Sequence, residues 1–312
     1  MSTIENLVIT GSNGFVGRSL LDYIACLSLE EQPRSIITLN RTDQRKEIKS
    51  RYPKLNIEYR ITDLARPWSF RVPNSHLINL AADGSANSYN ESATELFNTI
   101  GAHCAEWIRD NKPIKVFHAS SGVCNGIIKL ANSELDITNV GTLVPKETFI
   151  KSRLTVENAL SRLAEKENSE IIIGRLFSFV GFNILSKMQY ALPSFILGAV
   201  NNRKISVNGN PNTIRSYLHE SDMSDWIFRS LQAENPLAII SIGSSIKVRI
   251  SELAEFIAME TGADVEYLNP NAPGDIYFAD NTSTLESLGV SETKNWQDAV
   301  VECIEKVKGL KN

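Results

Sequence analysis

The apolar run Leu7-Val8-Ile9-Thr10 leads without a spacer into Gly11-Ser12-Asn13-Gly14-Phe15-Val16-Gly17, and a segment of helical period, Phe15 to Ala25, follows at once. A strand that becomes a helix within so few residues needs glycine for the tight turn and the close backbone approach. The same turn gathers the exposed N–H groups and the positive end of the new helix at one point, which attracts a pyrophosphate. Three spaced glycines alone are a weak signal. Set between a strand and a helix they read as a dinucleotide-binding turn, with Gly11, Asn13, Gly14, Phe15, Val16 and Gly17 as candidate cofactor residues.

The rest of the chain fits that start. Short runs rich in β-branched residues, Leu7–Thr10, Ser35–Asn40, Asn56–Arg60, His76–Leu80, Ile114–Ala119 and Ser169–Arg175, alternate with segments able to cross back as helices. This pattern predicts an α/β fold, a Rossmann-type doubly wound parallel sheet of six strands, with a smaller C-terminal substrate lobe. The expected division is 1–176 for the nucleotide domain and 177–312 for the lobe, with a segment around 212–232 returning to the first domain. Ser251–Thr261 and Thr293–Lys308 carry apolar residues at helical spacing and are expected to cap the lobe.

Composition removes other classes. Of 312 residues, 42% are hydrophobic and 22% charged, the balance of a globular protein, and the net charge is −4 without a Lys/Arg cluster, so nucleic acid is not an expected partner. Cys26, Cys104, Cys124 and Cys303 lie far apart with no metal-ligand spacing and are expected to be mostly buried thiols. His76, His103 and His118 fall in predicted core elements, and no metal site is expected. The most apolar stretch, Ile171 to Leu185, contains Arg175 and two glycines and is too short to cross a bilayer. Without a signal-peptide pattern near Met1, the expected location is the cytoplasm.

The second predicted strand ends in Asn40-Arg41. A carboxylate there would bond the ribose 2′-hydroxyl of NAD and repel a 2′-phosphate; a neutral amide followed by a guanidinium removes the repulsion and supplies a phosphate partner. NADP(H) is therefore favoured, with NAD(H) possible, and a solvated loop position for Arg41 stays open.

Further along stand Asp63-Leu64, Asn79-Leu80-Ala81-Ala82, Asn98-x-x-Gly101, Ser120-Ser121, the run Arg215-Ser216-Tyr217-Leu218-His219-Glu220-Ser221-Asp222, Pro273-Gly274-Asp275 and Ala279-Asp280. In order and spacing, over nearly the whole chain, these resemble the extended short-chain dehydrogenases/reductases, within them the NAD-dependent epimerase/dehydratase group that modifies nucleotide sugars. The resemblance implies cofactor contacts at Asp63, Leu64, Leu80, Ala81, Ala82 and Asn98, and substrate contacts at Asp83, Ser178 and Arg215. It also implies a sugar or nucleotide-sugar substrate and a homodimer formed through two helices, the one bearing Phe149 and the one whose apolar stripe Leu96, Ile100, Cys104 and Ile108 is itself expected to be core rather than interface.

The chain departs from that family at its chemical centre. Where the resemblance places a Tyr-x-x-x-Lys pair, the sequence has Phe149 and Arg153, and none of the eight tyrosines has Lys four residues later. A phenyl ring neither donates nor accepts a proton, and Arg153 is too basic to accept one. Ser121 is expected to polarise the substrate oxygen and Arg153 to hold the nicotinamide ribose; Ser121, Cys124, Glu147 and Lys151 are the candidates to take over the proton transfer, with a solvated helix position for Glu147 and Lys151 left open. Ala272 stands where the family often has a second arginine for the diphosphate, and Ser178 where Asn is usual. Two readings stay open: an NAD(P)-dependent epimerase, dehydratase or reductase with a non-standard proton-transfer site, and a catalytically inactive NADP(H)-binding sensor.

Overall fold

In the computed structural model, which describes residues 4–82, 90–126, 128–131, 134–135 and 144–310, seven parallel strands form the main sheet. They are β1 (Asn6–Thr10), β2 (Ser35–Asn40), β3 (Ile57–Ile61), β4 (Ser75–Asn79), β5 (Lys115–Ser121), β6 (Glu170–Leu176) and β7 (Ile239–Ile242), in the order β7-β6-β5-β4-β1-β2-β3. The expected count of six is one short. β7 is only four residues long and lies among the mixed segments of the second half, and it becomes a strand by pairing with β6, Ile239 opposite Ile173.

Nine helices accompany the strands among the described residues: α1 (Phe15–Cys26), α2 (Arg45–Arg51), α3 (Glu91–Asn111), α4 (Val144–Glu167), α5 (Ala191–Asn202), α6 (Glu220–Gln232), α7 (Ile250–Thr261), α8 (Thr282–Leu288) and α9 (Trp296–Gly309). Because side chains alternate along a strand, a sheet covered on both faces buries successive residues on opposite sides. Val8, Leu77, Val116 and Ile171 join Phe97, Ile100 and Trp107 of α3 and Val156 and Leu160 of α4 in one core. Leu7, Ile9, Ile36, Ile78 and Phe117 join Leu20, Leu21 and Ile24 of α1 and Trp226 and Ile227 of α6 in the other. At Gly101 of α3 a Cβ would stand 2.7 Å from both Val156 methyls, so the glycine sets how closely α3 and α4 approach.

The chain runs outward from β1 through β2 to β3, then returns past β1 to β4. That reversal opens a crevice beyond the carboxyl ends of β1 and β4, where doubly wound sheets bind their ligands. Thr10 closes its floor: its hydroxyl donates to Asn79 Oδ1 (2.6 Å) and accepts from the N–H groups of Leu80 (3.0 Å) and Ala81 (3.2 Å).

Smaller sheets complete the chain. One takes Val248–Arg249, Ile214–Arg215, Gly274–Ile276, Ile128–Ala131 and Glu134–Leu135 in that order, and a second pairs Lys204–Val207 with Asp264–Tyr267. The pairing of Ile214 with Ile276 in parallel brings Arg215 beside Asp275.

Candidate functional site

The glycine turn sits at the crevice. Gly11 has φ +70°, a conformation that L side chains rarely adopt, and a Cβ there would lie 3.2 Å from the Leu80 carbonyl. At Gly17 a Cβ would fall 2.4 Å from Ser12 Cα and 2.7 Å from the Gly11 carbonyl, so the first turn of α1 rests directly on the loop that feeds it. Gly14 is the N-cap of α1; no side chain caps the helix and its first turn carries no acidic residue. A positive helix end left without a side-chain cap fits a pyrophosphate.

Around the turn, Asn40 is buried and turned inward. Its Oδ1 accepts from the Asn13 N–H (3.0 Å) and the Ser12 hydroxyl, and its Nδ2 donates to Ser12 Oγ (2.8 Å). The amide braces the glycine turn, a use the sequence did not reveal. Arg41 is exposed, and no hydrogen bond or ion pair holds its side chain among the described residues. The Phe15 ring packs on Phe179, and Val16 is half-buried. Past β3, exposed Asp63 accepts from the Ala65 N–H (3.1 Å), while Leu64 is buried. Leu80, Ala81 and exposed Ala82 follow β4, and Asp83 lies outside the described residues. Asn98, exposed on α3, accepts from Ser152 Oγ of α4 (2.7 Å) and ties the two helices together.

The carboxyl end of β5 and the facing side of α4 form the second part of the site. Phe149 and Arg153 are both buried, and the Arg153 guanidinium stands 3.4 Å from the Phe97 ring centre and 4.5 Å from that of Phe149. His118 is fully enclosed beside them; burial, and then the charge of Arg153, lower its pKa to about 3, so it stays neutral. Its Nδ1 lies 3.0 Å from Asn79 Nδ2. One turn beyond Arg153, Glu157 is paired with Arg175 and accepts from the Ser120 hydroxyl.

His118 and Ser120 share a pleat face toward α3 and α4, while Ser121 lies on the other. Ser121 accepts, at 3.5 Å, from the Val123 N–H and so caps the short 3-10 turn Gly122–Asn125. Burial pushes the Cys124 thiol up to about 11, which keeps it protonated, and Glu147 and Lys151 are exposed. Glu157 and its link to Ser120 join segments distant in the sequence, and residue types alone do not announce the pair. The spacing Phe149, Arg153, Glu157 on one helical face was the available signal.

Farther out, Arg215 Nη1 bonds Asp275 Oδ1 at 2.5 Å and the Ile214 carbonyl at 2.8 Å, so its charge is met within the fold. The Ala272 carbonyl accepts from Asn210 Nδ2 (2.9 Å). Ser178 is half-buried after β6, and its carbonyl accepts from the Leu218 N–H (3.1 Å). All four cysteines are free; Cys104 and Cys303 are buried, Cys124 is half-buried and Cys26 exposed, because α1 turns its last residue outward. His76 and His118 are buried, whereas His103 is half-buried on α3 beside Glu106. Among the described residues no group of His, Cys, Asp and Glu could hold a metal, and no helix is long and apolar enough to cross a membrane.

Known proteins share this layout. The UDP-glucose 4-epimerase of Thermotoga maritima, solved with UDP-glucose, superposes with a TM-score of 0.81 at 17% identity, covering 98% of this chain and 100% of that one. A tyrosine-to-phenylalanine variant of the UDP-glucuronic acid 4-epimerase from Bacillus cereus superposes with a TM-score of 0.76 at 16% identity, covering 98% and 99%. That structure holds NAD and UDP-4-deoxy-4-fluoro-glucuronic acid. UDP-glucuronic acid decarboxylase 1 of Danio rerio is 21% identical over 254 residues, which are 81% of this chain and 60% of that protein. The chain thus spans about 60% of the length of the curated relatives it matches first. The model of the NAD dependent epimerase/dehydratase family matches residues 7–243, most of the sequence, and the chain belongs to that family.

Proposed function

We propose that this protein binds a nicotinamide dinucleotide at the glycine turn, NADP(H) in preference to NAD(H), and acts on a hydroxyl or ketone of a sugar or nucleotide sugar through a non-standard proton-transfer site. The observation that carries the reading is the uncapped first turn of α1 at the crevice between β1 and β4. Gly11, Asn13, Gly14, Phe15, Val16 and Gly17 would hold the pyrophosphate, with Asn40, Asp63, Leu64, Leu80, Ala81, Ala82 and Asn98 along the cofactor's path. The cofactor supplies hydride exchange with the substrate carbon.

The preference for NADP(H) rests on Arg41 and Asn40. Arg41 is exposed at the end of β2, able to meet a 2′-phosphate, while Asn40 brings no negative charge and spends its amide on Ser12 and Asn13. Arg153 is a fixed cation suited to ribose hydroxyls, and the hydroxyl offered to a substrate oxygen at the end of β5 is that of Ser120 rather than the expected Ser121, which lies on the opposite pleat face and caps the Gly122–Asn125 turn. Asp83, Ser178 and Arg215 would border the sugar side, where a diphosphate has to compete with Asp275 for Arg215. A homodimer through the outer faces of α3 and α4 belongs to the same reading.

A second reading, a sensor that binds NADP(H) without turnover, is favoured by one observation: Phe149 and Arg153 are packed together in place of a group that exchanges protons. Titration with NADPH and NADH, followed by incubation with keto-sugar nucleotides, separates the two. Tight NADPH binding with a changed sugar supports the enzyme, binding alone supports the sensor, and failure to bind either dinucleotide overturns both. Arg41→Ala should weaken NADPH about tenfold and leave NADH unchanged, the loss of one charged phosphate contact.

A further inference from the structure

Ser120 Oγ lies 2.5 Å from Glu157 Oε1, and between a hydroxyl and a carboxylate the hydroxyl must donate. The carboxylate is held in place: Arg175 reaches Oε1 from Nε (3.2 Å) and Oε2 from Nη2 (2.6 Å), and its Nη1 donates to Asn125 Oδ1 (2.6 Å). Glu157 is 3% exposed and Ser120 7%, so bulk water competes little for either. A hydroxyl has one proton and two lone pairs. With its proton committed to Glu157, Ser120 meets any further partner as an acceptor.

The position suits the chemistry left vacant by Phe149. Ser120 is at the carboxyl end of β5, the strand beside β4 and its crevice, and it faces the side of α4 that carries Phe149, Arg153 and Glu157. We propose that Ser120 accepts the hydrogen bond and then the proton of a substrate hydroxyl while Glu157 Oε1 takes the proton that Ser120 gives up. Ser120 is then the catalytic residue and Glu157 a positioning residue that acts through it. The inference rests on the dinucleotide-dependent reading above and narrows its substrate group to a hydroxyl.

The step balances. The substrate O–H bond breaks as one forms at Ser120 Oγ, the old Ser120 O–H bond breaks as one forms at Glu157 Oε1, and the substrate C–H pair leaves to an oxidised nicotinamide dinucleotide as C=O forms. The transfer has a driving force, because an alcohol oxygen turning into a carbonyl becomes a strong acid as the C–H bond breaks.

The test uses the full chain. A hydroxyl proton held on a buried carboxylate exchanges slowly with water, so proton NMR of the protein without added ligand should show a downfield hydroxyl resonance. It should vanish in Ser120→Ala and persist in Ser120→Thr. With an oxidised nicotinamide dinucleotide and UDP-glucose or UDP-glucuronic acid as probes, Ser120→Ala should lower kcat about a hundredfold with KM little changed, and Ser120→Thr should recover most of it. Glu157→Gln should behave like Ser120→Ala; if it fails to fold because Arg175 is left unpaired, Ser120→Ala still decides, since it keeps that ion pair. A missing resonance in the wild type, its survival in Ser120→Ala, or wild-type turnover that Ser120→Ala leaves intact overturns the proposal. Dinucleotide binding without turnover of either probe also counts against the relay while sparing the cofactor site; no dinucleotide binding removes the wider reading as well.

Discussion

The Arg153 guanidinium carbon lies 3.4 Å from the centre of the Phe97 ring, a contact that joins α4 to α3 through a buried charge. Taking a cation out of water is costly, and here ring faces replace part of its hydration. Arginine tolerates this better than lysine, because its charge is spread over a plane that stacks on rings and is weakly hydrated.

Removing the ring should therefore cost more than its volume. Phe97→Leu keeps most of the apolar bulk but gives up the cation–π contact, and a loss of about 2 kcal/mol is expected. Urea unfolding should show a lower midpoint at unchanged slope. An unchanged midpoint would mean that Arg153 finds equal compensation elsewhere.

The same charge acts on His118 and makes stability depend on pH. In the folded chain its pKa is lowered to about 3 by burial and by Arg153, against about 6.5 when unfolded. Between those values the unfolded state binds more protons, so stability is fully present above about pH 6.5 and falls as pH drops toward 3. At pH 5 the loss from this one group is about 2 kcal/mol. His76, lowered to about 4 by burial and by Lys115, adds a similar loss. His118→Gln should flatten the fall in urea midpoint between pH 6.5 and 5, and a slope equal to wild type would remove His118 from this account.

How legible all this was in the sequence depends on whether a feature is local. The glycine turn, α1 and six strands follow from neighbours a few residues apart, and so they stood out in the chain. β7 did not, since Ile239–Ile242 becomes a strand by pairing with β6. Ile128–Ala131 pairs locally with Glu134–Leu135 but enters the larger five-stranded sheet by meeting Gly274–Ile276 across the chain. Phe149 and Arg153 could be placed by spacing on one helix. The inward turn of Asn40 and the bond between Ser120 and Glu157 depend on contacts between distant segments, which residue types alone do not specify.

Two glycines of the turn should respond differently to the same added methyl. At Gly17 a Cβ meets backbone atoms of Ser12 and Gly11 at 2.4 and 2.7 Å, and backbone cannot rotate away. At Gly14 the nearest atom is the Gly11 carbonyl at 3.3 Å, and φ is −74°, which alanine adopts freely. Gly17→Ala should thus weaken NADPH by at least about tenfold and lower Tm, with Gly14→Ala retaining the fold and losing less affinity. Equal effects in a fluorescence titration would show that the two sites are not separated by backbone crowding.

Introducing a phenol tests the proposed site from the other side. Phe149→Tyr with Arg153→Lys replaces a ring without a proton by one that has one, and a delocalised cation by a compact ammonium, at a cost of about 1 kcal/mol from the lost stacking. If Ser120 and Glu157 already move the proton, the double variant should gain little over wild type, yet it should rescue Ser120→Ala by about a hundredfold, because two routes to one proton are redundant and their effects are not additive. If the wild type is instead a sensor, the gain should appear in the double variant and the triple combination alike, and in neither the wild type nor Ser120→Ala. Steady-state rates of the four proteins, wild type, double variant, Ser120→Ala and the triple combination, distinguish these patterns, and a rate that is zero in all four counts against the proposed relay.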